Sequence, residues 1–254
     1  MVSLIIWWAS ILLELLMACR FFQKRTLVQY PFFFAYIAIS FIADSAALIH
    51  FYLAGSSSYQ QWYEVKQIVT LITGYGILLE IQKHLLSPYP GAEKFARNAG
   101  IVAFGLVFCF AVIYPFIMPR WSMSGTEIEF ERALRTVQAG FLFGILGVIG
   151  YYRIEIGRNM KGMVCGYGLY IGTSLMSLAV RSYAGPRFDA AWNFIQPFSW
   201  VLSLFIWLAA LWSYYPSPTP ASATHLETDY EAFVVRTKVM MGTMRSHLAK
   251  AARP

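Results

Sequence analysis

Long apolar runs broken by short polar stretches repeat along most of the chain. Seven are counted: Val2–Cys19, Pro31–Leu53, Trp62–Leu86, Gly100–Met118, Arg132–Tyr152, Met163–Tyr183 and Trp192–Tyr215. Each is close to the roughly 20 residues that a helix needs to cross a bilayer. None alternates with a period of two, and in hydrocarbon every backbone donor and acceptor needs an internal partner, so the pattern predicts helices. The expected fold is all-α: a polytopic membrane protein with a seven-transmembrane-helix bundle over residues 1–215. Short connections place consecutive helices side by side.

Two segments stand out for their glycines. Arg132–Tyr152 holds Gly140 and Gly144, and Met163–Tyr183 is entered and lined by Gly162, Gly166, Gly168 and Gly172. Small residues four apart let two helix backbones approach closely, so these six positions are expected to serve helix packing. Gly166-Tyr-Gly168 is no nucleotide loop, because no strand precedes it. Pro115 and Pro197 fall inside apolar runs and are expected to kink them.

After the last run, residues 216–226 form a Pro/Ser/Thr-rich linker. Residues 227–254 read as a basic amphipathic tail helix. Thr228 with Glu231 forms a capping-box signature, and apolar residues at 230, 233, 234, 241, 244 and 248 follow at helical spacing. Acids come first and bases later, as the helix dipole favours. Such a helix suits a leaflet surface, or a membrane-protein or cytoplasmic partner reached through residues 229–252.

Composition agrees with this pattern. Of 254 residues, 58% are hydrophobic and 13% charged, half the roughly 25% charge of a soluble domain. The net charge of +7 does not imply nucleic acid, because the bases sit in the short loops. One set of loops and the tail hold Arg20, Lys24, Arg25, Lys83, Lys94, Arg97, Arg153, Arg158, Lys161, Arg236, Lys238, Arg245, Lys250 and Arg253. The other set holds Lys66, Arg120, Arg132, Arg135, Arg181 and Arg187. Fourteen against six places the N-terminus outside and the C-terminus in the cytoplasm of a multi-pass plasma (inner) membrane protein. Leu16-Met-Ala-Cys19 resembles a lipoprotein cleavage box, but no basic region precedes it and Glu14 interrupts the run. An uncleaved first helix is expected. Cys19, Cys109 and Cys165 all lie in or beside apolar runs and imply no disulfide framework.

Ionisable groups at membrane depth are costly and need a reason. Asp44 lies midway along its segment, with Ser40 one turn away. Lys66, Arg132, Arg135, Gln138, Arg181, Asn193 and Gln196 all fall in the outer half under the orientation above. Together with Asp44 they define a candidate polar pocket whose excess of cationic and amide donors suits a small anionic ligand. The same residues also allow a purely structural role. Glu64, Glu127, Glu129, Glu131, Asp189 and Asp44 balance the six outer bases, and Glu131 reaches Arg135 at i,i+4. In the inner half, Glu14 and Glu80 are expected to snorkel towards Arg20 and towards Lys83 and His84.

No catalytic motif is present, and the four histidines lack zinc or paired-haem placement. Asn193–Tyr215 contains no lysine, which excludes a retinal Schiff base of the microbial-rhodopsin kind. No cofactor and no metal are expected. Besides the lipid bilayer, three roles fit: a receptor-like sensor that signals through a separate partner, a small transporter or channel, and an accessory subunit of a membrane complex.

Overall fold

The computed structural model describes residues 2–24, 28–54, 59–117, 123–184, 189–213, 215 and 223–251. Eight helices occupy them: α1 (Val2–Lys24), α2 (Pro31–Ala54), α3 (Tyr59–Leu86), α4 (Pro90–Ile117), α5 (Met123–Tyr152), α6 (Arg158–Ala184), α7 (Asp189–Leu211) and α8 (Ala223–Ala251). Each of α1 to α6 packs on the next, and α7 closes the ring against α1. α3 is the most central, touching α2, α4, α5 and α6.

Five helices carry a window long and apolar enough to cross a membrane: Leu4–Phe22, Pro31–Leu53, Glu131–Tyr152, Arg158–Val180 and Phe194–Leu211. The sequence pattern suggests seven. α3 is not among them: the side chains of residues 59–65, 67 and 68 lie outside the described residues, and Glu80, Gln82, Lys83 and His84 make the rest more polar. The fourth run, Gly100–Met118, ends outside the described residues. The outward faces of the five are apolar: Ile5, Leu12, Ile42, Ile49, Phe143, Met176 and Phe205 are all exposed. Monomeric soluble proteins rarely show contiguous apolar surface on this scale, and it is compatible with an integral membrane protein.

Helix ends follow local chemistry. Pro90 opens α4 at the position where a missing N–H costs nothing, and Glu93 sits in the first turn. α2 is capped from another helix, as Phe32 N and Phe33 N donate to the two carboxylate oxygens of Glu80 at 3.2 and 2.8 Å. The last turn of α5 closes with Arg153 at φ 50° and Ile154 N bonded to Ile149 O at 3.0 Å. This is a Schellman-type end, sealed by the buried Ile154 and built on an arginine where glycine is usual. α7 continues through Pro197, with Ser199 Oγ bonded to Gln196 O.

α8 starts at Ala223, so Thr228 and Glu231 lie inside it rather than at its cap. Docking on α4 and α5 accounts for the longer helix. Leu226 is buried, Gly91 N donates to Glu227 Oε1 at 2.9 Å, and Tyr152 donates to Asp229 Oδ2 at 2.9 Å. A Cβ at Gly91 would run into the Tyr230 ring, so glycine is required for this contact. Phe95 meets Tyr230 and Phe233, and beyond that point Val235, Val239, Met241 and Met244 are exposed.

Candidate functional site

The interior of the helical ring is polar at mid-depth. Glu14 on α1 has no exposed surface, and Trp200 Nε1 on α7 donates to its Oε1 at 2.9 Å. Asp44 on α2 lies within hydrogen-bonding reach of Glu14 and is ion-paired to Lys66 on α3. Glu14 and Asp44 are both midway along neighbouring antiparallel helices, which brings them to the same depth.

A second ionic group lies beside the first. Arg135 on α5 is 2% exposed. Its Nε donates to Glu131 Oε1 at 2.7 Å and its Nη2 to the Tyr170 hydroxyl at 3.3 Å, with the guanidinium 4.9 Å from the Tyr170 ring centre. Tyr170 is also close enough to act on Lys66 and Tyr36, so the two groups form one cluster. Gln138 Nε2 donates to Leu71 O at 2.9 Å and ties α5 to α3. Gln196 Nε2 reaches Ser174 Oγ at 3.4 Å, one turn from Trp200. Aromatic rings floor the cluster: Tyr36 meets Tyr167, Trp200 and Trp207 edge-on.

Five of the eight residues singled out from the sequence therefore join this interior: Asp44, Lys66, Arg135, Gln138 and Gln196. Arg132 is exposed and stands outside it. The side chains of Arg181 and Asn193 lie outside the described residues. Both cations, the buried Arg135 and the part-buried Lys66, already have carboxylate partners. Glu14 Oε2, Gln196 Oε1 and the Tyr36 hydroxyl have no hydrogen-bond partner among the described residues. Other buried atoms, including Thr70 Oγ1, Gln82 Oε1 and the Tyr75 and Tyr89 hydroxyls, are open in the same sense, so what distinguishes these three is that they lie together in the ionic interior.

Two acids behave differently from the sequence expectation. Glu14 turns inward to Trp200 and Asp44, while Arg20 stacks on Trp212 and donates to its carbonyl. Glu80 caps α2 instead of pairing with Lys83. Reading along one helix at a time favoured the nearest bases in sequence. Trp200, Tyr170 and Tyr36 carried no signal at all, being aromatic residues within apolar runs.

The glycines divide. Gly162 lies against Ala210 and Gly166 against the Trp207 ring, both on α7, while Gly168 makes ordinary contact with Leu142. Among the described residues nothing lies within 4 Å of a Cβ placed at Gly140, Gly144 or Gly172. No group of metal-ligating side chains occurs among the described residues. No protein-family model, curated protein or solved structure matches the chain.

Proposed function

We propose that the protein is a receptor-like sensor of the plasma (inner) membrane, with seven crossings, its N-terminus outside and its C-terminus in the cytoplasm. Its ligand site is the mid-depth cluster of Glu14, Asp44, Lys66, Arg135 and Gln196. The fourteen-to-six distribution of loop bases supports the orientation. The observation that carries the binding role is the fully buried carboxyl group of Glu14, held by Trp200 beside Asp44 at the centre of the ring.

Sequence alone favours an anionic ligand. The pairing of both cations shifts the preference to a small cationic molecule. Lys66 is paired with Asp44 and Arg135 with Glu131, so Glu14 is left as the acidic group that an amine would engage. A signal would leave through α8, whose first turns are fastened to α4 and α5 and whose remaining length is open to a partner.

The same cluster could serve a transporter, but a conduit requires polar lining to continue to the other face. On the inner side of Trp200 the interior is filled by Phe33, Leu78, Leu204 and Trp207, all fully buried and apolar. That arrangement supports binding over transport. Thermal unfolding of the detergent-purified protein against matched panels of small amines and small carboxylates tests the reading. Amines are expected to raise the midpoint, and Glu14→Gln is expected to abolish that rise. A response to carboxylates alone, or an amine response that survives Glu14→Gln, would overturn it.

A further inference from the structure

We propose that the groove where α6 begins and α7 ends binds the headgroup of an anionic phospholipid, an assignment that rests on the chain crossing a bilayer. A cavity of about 450 Å³ opens there, lined by Arg158, Phe205, Leu208, Trp212, Ser213 and Tyr215. Its character changes along its length. Phe205 and Leu208 give an apolar wall on the outer flank of α7, and Ser213, Tyr215 and Arg158 give a polar end. That is the profile of an acyl chain leading to a headgroup.

The polar end is built rather than incidental. Asn159, 1% exposed, donates from Nδ2 to Ser213 O and accepts from Tyr215 N, both at 2.9 Å. These two bonds fix the chain after α7 against the first turn of α6. They hold the Tyr215 ring beneath Arg158, whose guanidinium carbon lies 5.0 Å from the ring centre. Among the described residues no hydrogen bond or ion pair engages the Arg158 guanidinium, so its N–H groups are open to a ligand. Trp212, just past the end of α7, is held in turn by Arg20, whose guanidinium lies 4.4 Å from its ring centre and donates to its carbonyl.

Arg158 on an aromatic shelf, with no carboxylate among the described lining residues, is complementary to a phosphodiester. The arginine fork matches phosphate oxygens in pairs, and aromatic rings favour the headgroup level of a bilayer. Loop charge places this end in the cytoplasmic leaflet, where anionic lipids collect basic pockets between helices. Free phosphate would use the polar end alone and leave the wall of Phe205 and Leu208 without a role.

Native mass spectrometry of the detergent-purified protein tests this, with phosphatidylglycerol and phosphatidylcholine of identical acyl chains as probes. Wild type should retain phosphatidylglycerol in preference. Arg158→Gln should lower that retention about tenfold, the size expected for losing one charge-assisted contact. It should leave phosphatidylcholine and the unfolding midpoint unchanged, since Arg158 is exposed. Equal retention of the two lipids by wild type, or undiminished phosphatidylglycerol in Arg158→Gln, would overturn the proposal. Displacement of the lipid by equimolar inorganic phosphate would reassign the site to phosphate. Carbonate washing of membranes provides the separate control: release of the chain would sink the bilayer-crossing reading itself, whereas retention with no lipid preference sinks only this site.

Discussion

Along α6, Gly162 and Gly166 are pressed against α7, where the Ala210 methyl and the Trp207 indole occupy the space that side chains would need. Along α5, a Cβ at Gly140, Gly144, Gly147 or Gly150 would meet none of the described residues within 4 Å. The two helices carry the same spacing of small residues and use it in opposite ways. What differs is which other residues are drawn inward. On α5 the inner face is set by Arg135, Gln138, Leu142, Ile145 and Ile149, all buried, and helical periodicity then turns the glycines and Phe143 outward. On α6 the buried stripe of Met163, Tyr167, Ile171 and Ser174 leaves Gly162 and Gly166 on the side facing α7. A small-residue motif thus permits close approach, and the rest of the helix decides what approaches.

The comparison can be broken at Trp207. It is fully buried, donates from Nε1 to Met163 O at 3.2 Å and packs on Phe33 and Trp200. Trp207→Ala should cost about 3–5 kcal/mol, the range for emptying a large aromatic site, measured by unfolding in mixed micelles. Gly166→Ala should cost about 1–3 kcal/mol, because its Cβ would lie 2.5 Å from the indole nitrogen. The double variant Gly166→Ala/Trp207→Ala should cost less than the sum, since the first methyl enters the space the second change vacates. An additive pair would mean that the two residues do not share one seam.

On α5 the effect should be smallest and of opposite sign. Gly140→Ala and Gly144→Ala should be neutral or stabilising by about 0.5–1 kcal/mol each, through helix propensity alone. Loss of stability there, or a change of oligomeric state on size-exclusion chromatography, would place a second protein on this face and bring the accessory-subunit role forward.

Much of the architecture was legible in the pattern of residues. Apolar length, the absence of period-two alternation and the scarcity of charge specify long helices with apolar exteriors, because hydrocarbon accepts no unpaired backbone group. Asp44, Lys66 and Arg135 stood out on the same ground, as ionised groups that a bilayer does not tolerate alone. Neither the depth of Glu14 nor its partner was legible: its place in the run put it in the inner half beside Arg20, one to two turns away, whereas it sits level with Asp44 and its partner Trp200 is 186 residues on. Closing α7 onto α1 is what brings that indole to the carboxylate, and no local spacing encodes it. Glu80 shows the same limit, since its role as the cap of α2 exists only once α3 packs beside it. The sequence by itself therefore determined which segments are helices, which faces are apolar and which groups must be sheltered. The tertiary structure alone decided which group shelters which, because pairing across helices depends on a ring closure that follows from the sum of all contacts.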